Sequence, residues 1–329
     1  MQEKITIGIA CYQAAETIER AVMSALRQDW TNTEIIIVDD ASNDAGPDKI
    51  RGLCSTHPNV RFIQHQQNSG PGAVRQTILT HATARYLAFF DDDDYSEPDR
   101  VRRQYERLRD YGDRESADHV LCYASGVRVY PNGYTLDLPA IGSRGGVPVG
   151  DAVADYLLYN RRLPDLFYGS GTPTCSLFAP VDTLRAVGGF DPGQRRVEDT
   201  DIAIRLARKG AHFIGSATPL FTQYATGGAD KSPDANYRAE MRVIEKNRDY
   251  LERRNRYVYA KYWCTVRYHH FRRRKGAMLV MLARCLLRFP VATSRHLLMS
   301  AGRRWRHERR MAANGPASAR STDDDPGTR

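Results

Sequence analysis

The apolar run Tyr86-Leu87-Ala88-Phe89-Phe90, followed at once by Asp91-Asp92-Asp93-Asp94, constrains this chain more than any other stretch. An unbroken apolar run of this length reads as a strand buried on both faces, the pattern of a parallel sheet covered by helices. Carboxylates at the exit of such a strand repel one another and gain nothing from packing, so something cationic must offset them. A divalent ion with hard oxygen ligands is the natural candidate, and carboxylates spaced Asp-x-Asp can hold one while leaving coordination positions open for a diphosphate. A solvated surface loop is the plain alternative, but such loops seldom issue directly from Leu-Ala-Phe-Phe.

Upstream, the same grammar repeats. Residues 4–10 (Lys-Ile-Thr-Ile-Gly-Ile-Ala) read as a buried strand leading into a polar turn at Tyr12-Gln13. Ala14, Ile18, Ala21, Val22, Ala25 and Leu26 then recur at helical spacing. A second strand, residues 34–38, ends in Asp39-Asp40, and a third is predicted over residues 60–64. The turn Asn68-Ser69-Gly70-Pro71-Gly72 opens a helix that runs to about His81, and residues 85–90 form the fourth strand. Alternation at this range predicts βαβ units, in which ligands sit outside the carboxyl ends of the strands. Tyr12, Asp39, Asp40 and Asp91 to Asp93 all fall at such ends. The Gly70-Pro71-Gly72 turn fits neither the dinucleotide nor the P-loop fingerprint. It reads equally as a phosphate-facing loop or as a helix start that needs unusual backbone angles.

These motifs, taken in order, resemble the family 2 glycosyltransferases, inverting enzymes with the GT-A nucleotide-sugar fold. The resemblance spans about residues 4–225. It is carried by Ile9-Ala10-Cys11-Tyr12-Gln13, Ser24-Ala25-Leu26-Arg27-Gln28 and the segment from Glu34 to Asp44. Asn68-Ser69-Gly70 with Val74-Arg75-Gln76, then Phe90 to Pro98, extend it. Val187-Gly188-Gly189-Phe190-Asp191 and Glu198-Asp199-Thr200-Asp201 complete it on the acceptor side. Three departures stand out: Ala10-Cys11-Tyr12-Gln13 replaces the family's Pro-x-Tyr-Asn, Ala41 replaces a glycine, and Tyr224-Ala225-Thr226-Gly227 replaces Tyr-Arg-x-His. The last removes support for a histidine metal ligand there, and His212 reads as ordinary strand packing.

The resemblance implies a nucleoside diphosphate sugar, UDP-linked, lying across the sheet's carboxyl edge with Mn2+ or Mg2+. It assigns Asp39 to the base, with Asp40 left to cap the turn, and Tyr12 to flank the base. Arg75 would lie near base and diphosphate, where a planar guanidinium suits anionic oxygens. Asp91 and Asp93 would hold the metal. Asp91 also reaches toward the ribose, Asp92 belongs to the donor side as the most dispensable of the four, and Asp94 supports the turn. Asp199, at the head of a helix over residues 199–209, would be the base that deprotonates the acceptor hydroxyl; ordinary helix capping is the competing role for a carboxylate there. Glu198 and Asp201 would orient the site or cap that helix. The hairpin expected from residues 123–130 and Pro131-Asn132-Gly133, and the segment Gly169-Ser170-Gly171-Thr172, would build the sugar and acceptor side.

The expected organisation is a GT-A-like, Rossmann-like domain over residues 1–230, a mostly parallel sheet sandwiched by helices. A basic helical appendage over 231–311 and a disordered tail over 312–329 follow. Six scattered cysteines without Cys-x-x-Cys spacing argue against a zinc site and a disulfide framework, and favour a reducing compartment. No signal segment precedes the first strand, so a cytoplasmic location is expected. Residues 253–310 carry fifteen arginines and two lysines against a single acid, Glu308, while the whole chain is only +9, so the remainder is net acidic. Apolar residues interleave with these charges, but Arg284, Arg288 and Pro290 interrupt the longest run, which is too short and too charged to span a bilayer. The pattern predicts peripheral contact with an anionic membrane surface, suited to a saccharide or lipid-linked acceptor in surface or exopolysaccharide synthesis. Nucleic-acid binding and simple packing on the domain are the weaker uses of that charge. Two rival functions are a catalytically inactive nucleotide-sugar-binding scaffold, against which the intact Asp91, Asp93 and Asp199 speak, and a sugar nucleotidyltransferase. The latter needs a Gly-rich basic loop after the first strand, where Cys11-Tyr12-Gln13 offers none.

Overall fold

A computed structural model describes residues 2–225 and 232–299. Strands and helices alternate from the start as β1 (Ile5–Cys11), α1 (Ile18–Leu26), β2 (Thr33–Asp39), α2 (Gly46–Thr56), β3 (Val60–Gln64), α3 (Pro71–His81) and β4 (Tyr86–Asp91). The middle of the chain forms β5 (Tyr95–Ser96), α4 (Arg100–Glu115), β6 (Val120–Val129), β7 (Thr135–Leu138) and α5 (Asp151–Tyr159). It continues through β8 (Leu177–Pro180), α6 (Val181–Arg185), α7 (Glu198–Arg208) and β9 (His212–Tyr224). Helices α8 (Pro233–Lys246), α9 (Arg248–Arg253), α10 (Tyr257–Phe271) and α11 (Lys275–Arg288) follow, and residues 290–299 are also helical.

One nine-stranded sheet runs β3-β2-β1-β4-β8-β6-β9-β5, with β7 paired to β6. Its first four strands are parallel, as the alternation requires. The second half is mixed rather than parallel: β8 is antiparallel to both β4 and β6, while β6 and β9 are parallel. The tight Asn132-Gly133 turn is one cause, since a short hairpin can only return its chain antiparallel, and β7 does so against β6.

Period-two alternation assigns the two faces of the sheet. Ile36, Val38, Leu87 and Phe89 enter one core with α3, α5 and α7; Ile35, Ile37, Ala88 and Phe90 enter the other with α1, α2 and α4. Val243, Ile244, Leu251, Ala260 and Cys264 from α8 to α10 join the first of these cores, so these helices share the hydrophobic interior of the sheet domain. Lys246 pins α8 through Asp191 and Asp201, at 2.5 and 2.8 Å. Among the described residues no helix is long and apolar enough to cross a membrane. Thr226 and Gly227, the basic residues beyond 299 and the stretch 312–329 lie outside the described residues.

Candidate active site

Register brings the acidic strand ends into line. Cys11 pairs with Asp39 of β2, and Ala10 pairs with Asp91 of β4. Asp39 and Asp91 therefore flank the end of β1, two strand spacings of about 4.8 Å apart. Asp39 is fully buried. Its Oδ2 accepts from the Ser42 amide at 2.9 Å and from Gln64 Nε2 at 3.2 Å, whereas its buried Oδ1 has no partner. A buried orphan oxygen carries a desolvation cost that a ligand N–H can relieve. Asp40 does the structural work expected of it, accepting from the amides of Ser69 and Gly70 at 2.8 and 2.7 Å while His65 Nδ1 lies 2.9 Å away. In the Gly70-Pro71-Gly72 turn, the Gly70 amide is taken by Asp40 and Gly70 adopts a φ of +88°, which supports the reading of a helix start that needs unusual backbone angles. Tyr12 leaves its ring exposed at the end of β1, and its amide donates to Asp92 Oδ2 at 2.8 Å. Asp92 thus ties the acidic turn to β1.

Within the acidic turn the structure departs from the expected pairing. Asp91, Asp94 and Cys175 bring one potential ligand atom each to within 4.8 Å of one another, and Asp93 is not in this group. The cause is local: Asp92 and Asp93 form the turn after β4, which folds Asp94 back beside Asp91, while Arg20 Nη2 takes the Asp93 carbonyl at 2.5 Å. Both Asp94 carboxylate oxygens are buried without a partner. Burial first, then the charges of Asp91 and Asp93, pushes the Asp94 carboxyl up to about 9. Burial also raises Asp92 to about 8, with Asp93 and Asp91 adding to the shift against the Tyr12 hydrogen bond. A turn that must hold protons at neutral pH to tolerate its own charge is one that a hard divalent cation fits. Cys175 is a soft donor whose thiol burial pushes well up, so it fits as a neighbour more than as a ligand.

Beneath the turn lies a group that sequence reasoning missed. Arg100, 1% exposed, donates to the carbonyls of Phe89 and Cys175 at 2.8 and 2.6 Å and to Ser96 Oγ at 2.8 Å. Its guanidinium carbon sits 4.2 Å from the Phe90 ring centroid. This cation fixes the strand end that delivers the acids. An arginine in the first turn of a helix ordinarily reads as a surface residue, so nothing in its local pattern marked it.

The acceptor-side carboxylates reach the same place through Arg75. This side chain is buried on α3; its Nη2 donates to Asp91 at 3.1 Å and its Nη1 pairs with Glu198 at the start of α7. Arg75 Nε is buried and has no partner. One guanidinium therefore bridges the end of β4 and the head of α7, which brings Asp199 to the acidic turn. Asp199 Oδ1 accepts from the Thr200 amide at 2.6 Å and Thr200 Oγ1 at 3.2 Å. Burial raises the Asp199 carboxyl; Arg75 and the Thr200 hydrogen bonds oppose the shift, and Asp91 adds to it. Immediately before the helix, Val197 holds a φ of +53°. A β-branched residue in the left-handed region is strained, and such strain persists only where its surroundings enforce it. Asp201 is structural, bonded to Arg205 and Lys246. His212 packs as expected, with its Nδ1 2.9 Å from the Tyr111 hydroxyl. A small cavity of about 90 Å3, lined by Tyr123, Ser170, Gly171, Cys175 and Gln223, adjoins the acidic group through Cys175.

A parallel β-α sheet with acids at its carboxyl edge, completed by a mixed half that returns a carboxylate-bearing helix to that edge, is the architecture of the GT-A glycosyltransferases. The fold compares accordingly with Staphylococcus aureus TarS solved with UDP, at a TM-score of 0.55, 17% identity and coverage of 73% of this chain and 64% of that one. It also compares with the mannosyltransferase PcManGT of Pyrobaculum calidifontis, solved with GDP-Man and Mn2+, at a TM-score of 0.52, 16% identity and coverage of 95% and 85%. Residues 6–166, just under half of the chain, match the model of Glycosyl transferase family 2. A curated relative, the succinoglycan biosynthesis protein ExoO of Rhizobium meliloti, is 38% identical over 116 residues. The match covers 35% of this chain and spans 33% of that relative's length.

Proposed function

We propose that this glycosyltransferase moves a sugar, with inversion, from a nucleoside diphosphate sugar to a hydroxyl of a saccharide or lipid-linked acceptor in surface or exopolysaccharide synthesis. The observation that carries the reading is the Arg75 bridge, which sets the head of α7 against the acidic turn of β4. In this reading Asp39 Oδ1 accepts an N–H of the donor's base, uracil in the first instance, and the exposed Tyr12 ring covers the base. The unpartnered Arg75 Nε–H is available to a donor oxygen. A divalent ion, Mn2+ or Mg2+, would be held by Asp91 with Asp94, the carboxylate that the geometry adds, and with Asp93 as the further ligand that the motif implies. When bound, such an ion offsets the charge that develops on the leaving diphosphate.

Asp199 takes the acceptor's proton as the acceptor oxygen bonds to the anomeric carbon; the bond from that carbon to the diphosphate breaks on the opposite side, and the nucleoside diphosphate leaves. No protein nucleophile is required. The raised Asp199 carboxyl suits this role, because a base is most effective when its pKa lies nearer the working pH. Residual charge on the C-terminal helices supports contact with an anionic membrane. Leu279 with Leu286, and Val280 with Leu287, repeat at a seven-residue spacing on α11 and are exposed; the exposed basic run Arg272 to Lys275 precedes them, and the exposed Arg284 and Arg288 flank Leu286 and Leu287.

The test is a panel of nucleoside diphosphate sugars with Mn2+, comparing the wild type with Asp93→Ala, Asp94→Ala and Asp199→Asn. Asp199→Asn is expected to keep donor binding and lose transfer by about 10²–10⁴-fold. Transfer at the wild-type rate in that variant refutes the base assignment.

A further inference from the structure

A cavity of about 550 Å3 lies between α5, the head of α7, α8, α10 and the helical residues 290–299. Its volume is that of a small-molecule site, roughly 300–1,000 Å3. Two observations join it to the reaction centre. Thr200 lines it and is the same residue whose amide and hydroxyl bond to Asp199 Oδ1. Val197, strained into the left-handed region just before α7, lines it as well. The cavity therefore meets the chain on either side of the carboxylate that must face the acceptor hydroxyl.

Its lining is chemically mixed in a particular way. Tyr156 and Trp263 present flat rings, and both are held in place: Tyr156 packs on Tyr168 at 4.5 Å between centroids, and Trp263 stacks on His296 at 3.7 Å. Burial, with help from Arg267 and Arg162, lowers His296 to about 4, so this ring is neutral at physiological pH. Polar groups stand at the edges. Arg162 Nη2 donates to the Tyr156 hydroxyl at 3.3 Å, and Arg267 bonds Glu240 at 3.2 Å. A fatty chain would lie against this polar rim and gain no hydrogen bond from it. An isolated phosphate would gain nothing from the ring faces. A pyranose satisfies both, because its C–H faces are apolar and flat while its rim carries hydroxyls that donate and accept.

We propose that this cavity is the acceptor site and that it takes the non-reacting sugar of a saccharide acceptor, stacked on Trp263 and Tyr156 with its hydroxyls on Arg162 and Glu240. The inference rests on the transferase reading above and locates that reaction's second substrate. Acceptor choice is thereby shared between Tyr156 and Arg162, at the end of the segment that matches the family model, and the helices that follow it.

Binding and turnover separate the two claims. The probes are the p-nitrophenyl β-glucoside, β-galactoside, β-N-acetylglucosaminide and α-mannoside, followed by saturation-transfer NMR and titration on the full chain without donor. Donor hydrolysis is measured in parallel. At least one glycoside is expected to bind, with affinity lowered at least tenfold in Trp263→Ala and in Arg162→Ala and retained within threefold in Trp263→Phe. Trp263→Phe and Arg162→Ala keep the test readable if Trp263→Ala does not fold. Absence of binding by the wild type to every probe, or equal binding by wild type and Arg162→Ala, overturns the cavity assignment and leaves the transferase reading intact. Binding with the expected variant losses, but without turnover of any nucleoside diphosphate sugar, overturns the transferase reading and keeps the saccharide site.

Discussion

Replacing Arg75 by methionine tests the bridge on which the site depends. The Glu198 and Asp91 side chains that it joins are only 10% and 27% exposed, and Arg75 itself 10%. At 3.1 Å, with an effective dielectric constant of about 20, the Asp91 pair alone is worth about 5 kcal/mol of gross attraction. Most of that offsets the desolvation of the ions, so the intact bridge contributes little net stability. Methionine removes the attraction and leaves two acids facing each other, a loss of about 3–5 kcal/mol for a buried pair, toward the lower end here because Asp91 is partly solvated. At about 2–4 °C per kcal/mol for a domain of this size, the melting temperature should fall by roughly 10 °C. Lysine should recover only part, since a single ammonium cannot span both carboxylates as the guanidinium fork does. Adding Glu198→Gln to Arg75→Met should raise the melting temperature again, because one stranded charge is gone. Thermal unfolding followed by circular dichroism reads all four proteins. A melting temperature for Arg75→Met within 2 °C of wild type, or a double variant less stable than Arg75→Met, refutes the reasoning.

Two other outcomes follow from the acidic turn and the C-terminal face. Asp94, raised to about 9 from an ordinary 3.8, keeps a proton in the folded state that the unfolded chain has released between those values. Metal-free stability should therefore be greatest at low pH on this account, and should fall as pH rises from about 4 toward 9. Asp94→Asn should flatten that slope, and Mn2+ should stabilise the wild type more at pH 8 than at pH 5 because it competes with the proton. Melting curves in chelator and in Mn2+ check this, and an unchanged slope in Asp94→Asn counts against it. On the C-terminal side, Leu287 is 86% exposed and Val291 81%. The variant Leu287→Glu/Val291→Glu should lose at least tenfold in co-sedimentation with phosphatidylglycerol vesicles, and wild-type binding should weaken with salt. Equal binding to phosphatidylcholine vesicles, or no effect of the substitutions, would remove the membrane contact.

The parallel half of the fold was legible because its signal is local. β3 begins and ends where its β-branched pattern does, and β1, β2 and β4 differ from expectation by a residue or two. α1 is shorter at its start, since Ala14 to Thr17 form a turn whose carbonyls receive the first helical amides. The mixed half was less legible because β5 is two residues long and β8 four, too short for periodicity to register. In the site, Asp39, Arg75, Asp91 and Asp199 lie along one edge of the sheet, where strand ends and motif order put them. Asp94 and Arg100 were undervalued for one reason: sequence patterns report which residues are acidic or basic, and burial decides which of them lack a partner. The cavity beside α7 was invisible for a different reason, since its walls come from α5, α8 and α10, which are separated by most of a hundred residues and carry no shared motif.

The placement of Glu198 has a consequence for how such a chain could be rebuilt. The stretch that matches the family model stops at residue 166, so it holds Asp39, Arg75 and the acidic turn but not Glu198 or Asp199. Arg75 is thus a latch between the front half that matches the family model and the back half that follows it. A chimera could exchange everything after that boundary for a segment with a different acceptor preference, provided that the incoming piece offers a carboxylate where Glu198 now stands. Without that carboxylate the newcomer would arrive out of alignment with the donor, however well it folded.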